Sequence, residues 1–169
     1  MQKLLRSSSK SQSIVTPNSM LTHVVAKTLI FNEEGKVLLL TRSSSDEHRP
    51  GGLDLPGGRV EDGEEILAGA VREADEESGL IINASNMHWV YADTVSTYNT
   101  DVKGNVNLIR VTFAARVESP NVTLSHEHDA FGWYTLGEAI EVTKGTRYPT
   151  VLKYMMQHNI AKNLWRQQG

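Results

Sequence analysis

Between a Pro56-Gly57-Gly58 turn and a lone Gly79 lies a stretch whose residues sort onto two faces of one helix. At about 100° per residue, Leu67, Ala70, Val71 and Ala74 gather in one sector, while Glu73, Glu76 and Glu77 stand at i, i+3 and i+4 in another. Such a helix needs a flat apolar partner for the first sector and leaves the acids to look outward. Asp62 reads as its N-cap with Glu65 three residues on, Glu64 and Glu65 suit the positive helix start, and Gly79 suits a left-handed stop. The spacing therefore predicts a helix of about 16 residues, ~24 Å long.

The flanks supply the partner. Residues 23–31 and 36–42 are apolar runs around Asn32-Glu33-Glu34-Gly35 and predict a β-hairpin. A loop over 43–52 leads to a short extended Leu53-Asp54-Leu55. Further strands are expected over 87–98 and 105–117, where Ile109, Val111, Phe113, Ala115 and Val117 alternate with more polar neighbours and imply one buried face. A loop over 119–130 carries Glu127, a last strand covers 131–135, a short helix begins at Leu136, and a C-terminal helix runs over 150–165 to Trp165. Strands, one helix, more strands and a final helix, without internal repeat, describe an α+β chain: an α/β/α sandwich on a mixed sheet.

At 169 residues with 39% apolar and 22% charged composition, the chain is one globular domain, 21–169, behind an arm at 1–20. No apolar run approaches the ~18 to 20 residues of a membrane span. The absence of cysteine excludes disulfides, thiolate zinc sites and thiol nucleophiles. The net charge of −3 argues against a nucleic-acid polymer as partner. Residues 1–20 hold Lys3, Arg6, Lys10 and six serines with no acid, which reads as a flexible tail, upstream of an alternative start at Met20 or as an organelle-targeting segment. The expected compartment is the cytoplasm.

That small net charge hides a strong local bias. Residues 46–77 hold 11 of the 20 acidic residues against Arg49, Arg59 and Arg72, so this segment is −8 and the remainder +5. Three carboxylates on one helix face repel one another unless cations or Arg72 compensate. Oxygen-only ligands on one rigid element suit hard cations such as Mg²⁺ or Mn²⁺, not zinc, and the 56–58 turn lets a backbone carbonyl approach them. A cation so held polarises a phosphoryl oxygen and activates water, which is metal-assisted hydrolysis. The residues alone leave a solvated acidic face as the alternative.

Gly58, five residues, Glu64, seven residues, then Arg72-Glu73-Ala74-Asp75-Glu76-Glu77-Ser78-Gly79-Leu80 resembles a complete Nudix box, the motif of the Nudix hydrolases. Ala74 stands where that family more often has a larger aliphatic. The resemblance implies a Nudix-like sandwich and hydrolysis, with Mg²⁺ or Mn²⁺, of a pyrophosphate bond in a nucleoside diphosphate linked to another moiety: an NTP or dNTP, a dinucleoside polyphosphate or a nucleotide sugar. It implies metal ligation by Glu73, Glu76, Glu77 and the Gly58 carbonyl, orientation of the carboxylates by Arg72, and a supporting role for Glu64. The general base in similar proteins is either a glutamate of the box, here Glu73, or one from a distant loop. Glu127, in Ser125-His126-Glu127-His128, resembles the loop glutamate that many members add to the metal site, and both histidines are candidates for touching phosphate. Arg42 and Arg49 feed the box and are candidates for the substrate phosphates. Tyr98, 18 residues past Leu80, sits where a tyrosine accompanies dinucleoside-polyphosphate activity in similar members. The expected partner is a small nucleotide, with a second copy of the chain as a further candidate and no membrane. A Nudix-like module that senses a nucleotide without cleaving it is the competing function.

Overall fold

The computed structural model describes residues 21–99 and 104–162. The expectations for the arm at 1–20 and for the helix end toward Trp165 lie outside the described residues. Six strands, β1 (Thr22–Phe31), β2 (Val37–Arg42), β3 (Leu53–Asp54), β4 (His88–Asn99), β5 (Gly104–Arg116) and β6 (His128–Tyr134), form one sheet. Three helices, α1 (Ile66–Ser78), α2 (Leu136–Val142) and α3 (Tyr148–Gln157), cover it. β1 runs parallel to β5 from Thr22 opposite Asn107 to Phe31 opposite Arg116, and the remaining pairs are antiparallel, so the sheet is mixed as expected.

Alternation along β1 and β2 sends side chains into two cores. Ala26, Ile30, Leu38 and Leu40 pack with Phe113, Ala115 and Val117 beneath α1, whose Leu67, Ala70, Val71 and Ala74 face them as the periodicity predicts. Leu29, Phe31, Val37 and Leu39 meet Ala139 and Ile140 of α2 and Val151, Leu152 and Met155 of α3 on the opposite face. Strands buried on both sides explain the unbroken apolar run at 37–40. Ile109 departs from its alternating set: it is exposed and stands outside the cluster that holds Phe113, Ala115 and Val117.

The expected hairpin of β1 and β2 is present but short. The two strands pair at Phe31 opposite Val37, and then the edge of β1 is taken by residues 56–60 instead. Thr28 N–H donates to the Pro56 carbonyl at 2.8 Å, Ala26 N–H to the Gly58 carbonyl at 2.9 Å, and Val60 N–H to the Val24 carbonyl at 3.0 Å. Only glycine fits this insertion at position 57: its φ is +130°, and a Cβ there would overlap the Ala26 carbonyl oxygen and come within 2.8 Å of Lys27 Cα.

Three boundaries also move. α1 starts at Ile66, not Asp62, with Glu65 at the N-cap and no side-chain cap. Gly63, at φ +83°, makes a separate turn first, closed by the Glu64 carboxylate accepting from Glu61 N–H at 2.9 Å, so Asp62 and Glu65 do not form the expected capping box. The left-handed stop at Gly79, φ +66°, is as expected. β6 begins at His128, three residues earlier than the sequence suggests, which puts His128 on a strand and Glu127 just before it. α3 begins at Tyr148 with Pro149 in its first turn and ends at Gln157, where His158 and Asn159, the latter at φ +48°, interrupt the helical pattern.

Candidate active site

The last two turns of α1 present the three carboxylates, but not all outward. Glu76 is exposed, Glu73 is half-buried, and Glu77 is 7% exposed. Glu77 turns inward because its Oε2 accepts from Gly57 N–H at 2.7 Å, closing α1 onto the inserted 56–60 segment. Burial pushes the Glu77 carboxyl up to about 7, against the Lys27 ammonium and the Gly57 N–H, which lower it. Burial likewise raises Glu73, with Arg72 opposing. Gly58 is the floor beneath Glu73: a Cβ at Gly58 would overlap the Glu73 carboxylate.

Arg72 gathers the acids. Its Nε and Nη2 hold the two oxygens of Glu64 at 2.9 and 3.0 Å, and its Nη1 reaches Glu73 at 2.9 Å and Glu76 at 3.0 Å. Nη2 also donates to the Arg59 carbonyl at 3.2 Å. A planar fork with five donors can serve four acceptors at once, which an ammonium cannot. The guanidinium beside Glu64 holds that carboxyl at about 2.

Beneath the 55–58 segment lies a charged cluster that sequence reasoning missed. Lys27 Nζ, on β1, donates to the Leu55 carbonyl at 3.0 Å and to the Gly57 carbonyl, and pairs with Asp54 Oδ1 at 3.1 Å. Asp54, 1% exposed, also accepts from Arg42 at 3.0 Å, from Arg49 at 2.7 Å and from the Tyr148 hydroxyl of α3. Burial pushes Asp54 up, but Lys27, Arg49 and Tyr148 outweigh it and hold the carboxyl at about 2. Burial also opposes the charge on Lys27, and Asp54 outweighs it, keeping its pKa above the ordinary lysine range. The available signal was a lone lysine inside the apolar run of β1 and a lone aspartate between Leu53 and Leu55. Arg42 and Arg49 are thus brought together by Asp54, with Arg42 further held by Asp46 at 3.1 Å, and Arg49 keeps an exposed face.

Glu127 is exposed on a loop fixed to both halves of the site. Thr123 N–H donates to the Ser78 carbonyl at 2.8 Å and Ser125 N–H to the Glu77 carbonyl at 3.4 Å, while the Glu127 carbonyl accepts from Ser43 N–H at 2.7 Å. His128 pairs with Arg42 across β6 and β2 and is 5% exposed, and neither ring nitrogen has a hydrogen-bond partner among the described residues. Burial keeps it below the ordinary histidine pKa. His126 stays exposed. Tyr98 is on β4 opposite Asn105, and its side chain lies outside the described part.

Among the described residues no three acids or histidines already converge as a metal cage, since Arg72 draws Glu73 and Glu76 to itself. The donor set nevertheless fits a hard cation: it is all oxygen, Glu77 is buried with no cation at ion-pair distance among the described residues, and Gly58 leaves the space before Glu73 free of a side chain. The Gly58 carbonyl already accepts one bond from β1 and retains a second lone pair.

A NUDIX domain profile matches residues 21–154. The asymmetrical bis(5'-nucleosyl)-tetraphosphatase of Caenorhabditis elegans is 28% identical over 120 residues, 70% of this chain and 83% of that protein. Among solved structures, a MutT protein from Methanosarcina mazei Go1 superposes with a TM-score of 0.67 at 26% identity, covering 83% of this chain and 96% of that one. The fold is shared with a C. elegans Ap4A hydrolase in binary complex at a TM-score of 0.61 and 21% identity, over 82% of this chain and 98% of that one.

Proposed function

The chain belongs to the Nudix hydrolase family, and from that premise we propose that it hydrolyses a pyrophosphate bond in a nucleoside diphosphate linked to another moiety, with Mg²⁺ or Mn²⁺. One observation carries this reading: Glu73 and Glu77 meet the 57–58 segment at one end of α1, with Arg72 holding Glu73 and the neighbouring Glu76 in place. Glu73, Glu76, Glu77 and the Gly58 carbonyl would hold the cation, with Glu127 joining from its loop. When bound, the cation supplies Lewis-acid polarisation of a phosphoryl oxygen and an acidified water.

The chain's own residues do the rest. Glu73, raised by its burial, is the general base: it takes the proton of the attacking water as the new P–O bond forms and the bond to the leaving phosphate oxygen breaks. Arg72 orients Glu73 and Glu76 through charge-assisted hydrogen bonds. Arg42 and the exposed part of Arg49 offer positive charge to the substrate's remaining phosphates, and Tyr98 is assigned to the nucleoside. Among the described residues no helix is long and apolar enough to cross a membrane, and we place the protein in the cytoplasm. The tetraphosphatase relative supports dinucleoside polyphosphates as the first substrate class to try.

The test is product analysis by mass spectrometry on dinucleoside polyphosphates, NTPs, oxidised dNTPs and nucleotide sugars with each cation. Glu76→Gln and Glu77→Gln are each expected to lower turnover at least about 100-fold with the fold intact. Near-normal turnover in both variants overturns the assignment. Tight nucleotide binding with no product anywhere in the panel favours the sensing module instead.

A further inference from the structure

We propose that Lys27 is a positioning residue for the carboxylate site: its buried ammonium, anchored on Asp54, grips the Leu55 and Gly57 carbonyls and so holds the Gly57 N–H against Glu77. The inference rests on the metal-hydrolase reading above. A lysine in the middle of a buried strand is costly unless its charge is paired and its donors are used, and here all three N–H groups have an acceptor: Leu55, Gly57 and Asp54. Two of those acceptors are backbone carbonyls of the segment that forms the floor of the site. That segment makes three ladder bonds with β1, at Thr28, Ala26 and Val24, and the first of them fixes the Pro56–Gly57 peptide, whose N–H Glu77 accepts. Lys27 grips the peptides on either side of it, Leu55–Pro56 and Gly57–Gly58, by their carbonyls.

The chain of contacts is therefore Asp54, Lys27, Gly57, Glu77, with Gly58 and Glu73 immediately adjacent. The side chain of Lys27 approaches from the α3 side of the sheet, since its β1 neighbours Leu29 and Phe31 pack there, whereas the carboxylates sit on the α1 side. It can thus support the floor of the site without competing for space with substrate. Tyr148 donates to Asp54 from the far end of the same cluster, and among the described residues no hydrogen bond joins it to residues 57–58. It is the natural control for a role that is merely structural.

The experiment compares Lys27→Met with Tyr148→Phe. Mn²⁺ binding to the folded proteins is titrated by electron paramagnetic resonance without substrate, and kcat and KM are measured at saturating cation. Residues that orient metal ligands from behind typically affect affinity ~10 to 100-fold, and Lys27→Met is expected to weaken Mn²⁺ binding by that factor and to lower kcat with KM unchanged within about twofold. Tyr148→Phe, with comparable loss of stability, is expected to leave both readouts near wild type. Wild-type Mn²⁺ affinity in folded Lys27→Met overturns the proposal, as does equal weakening in Tyr148→Phe. Should Lys27→Met not fold, Lys27→Gln, which keeps two N–H donors but no charge, takes its place with the same expected direction. A wild-type chain that takes up no Mn²⁺ overturns the metal reading of the site and this proposal with it, whereas wild-type binding with an unaffected Lys27→Met overturns only the latter.

Discussion

Two adjacent glycines do different work, and single substitutions separate them. At Gly57 a Cβ would overlap the backbone of β1, and φ is +130°, so Gly57→Ala forces the inserted segment off the sheet edge. The expected cost is at least about 2 kcal/mol, read by urea denaturation. At Gly58 the obstacle is the carboxylate end of Glu73, a side chain that can swing away. Gly58→Ala is therefore expected to fold with stability close to wild type while turnover falls ~100-fold, because a displacement of about 1 Å at a reacting group costs that much. Circular dichroism melts and steady-state kinetics on both variants check the pair. Full activity in Gly58→Ala would show that Glu73 need not stand where the structure puts it.

At the scale of elements, α1 and the 119–127 loop behave as one unit, joined where the helix stops. Gly79 closes α1 at φ +66°, and a Cβ there would come within 2.9 Å of Thr123 Cβ. Gly79→Ala is expected to cost about 1 kcal/mol for the left-handed backbone and more for the contact. The melting temperature then falls by several degrees, and amide exchange quickens over 123–127, the stretch that leads to Glu127. Unchanged exchange there alongside a lower melting temperature would mean that the loop does not depend on the helix stop. The apolar face of α1 and its Gly79 stop were legible because both are local: a 3.6-residue period and a residue that tolerates positive φ. The helix start was not, since the turn at 61–64 that displaces it is held by Glu64, which accepts from Glu61 N–H and is fixed by Arg72 eight residues away. The inward turn of Glu77 was equally hidden, because it depends on a peptide N–H twenty positions earlier. The shortness of the β1–β2 hairpin was hidden for the same reason: turn chemistry at 32–35 marks where two strands meet, not how far they stay together.

Across the whole molecule, two sets of charge meet at the inserted segment: the carboxylates of α1, and the cluster of Lys27, Asp54, Arg42 and Arg49, tied to α3 by Tyr148. Lys27 was visible in the sequence as an anomaly, but nothing local paired it with Asp54, 27 positions on. That pairing gives the fold an acid limit. Asp54 is held at about 2 against an ordinary value of 3.8. A carboxyl with a lowered folded pKa contributes stability that is complete above its unfolded pKa and is lost as pH falls through the folded one. The contribution is about 2 kcal/mol at neutral pH, and it disappears between roughly pH 4 and pH 2. Asp46 and Glu64 are lowered as well, so the wild-type curve alone does not isolate Asp54. Asp54→Asn does: at neutral pH it leaves Lys27 and two arginines without their shared anion, an expected loss of about 3 to 5 kcal/mol. Between pH 4 and 2 its stability should then fall less steeply than that of the wild type. Urea unfolding of both proteins at half-unit pH steps over this range measures the difference. Parallel slopes would place the acid sensitivity elsewhere, in the partly buried pairs at Asp46 and Glu64, and leave Asp54 as a fixed charge with no part in it.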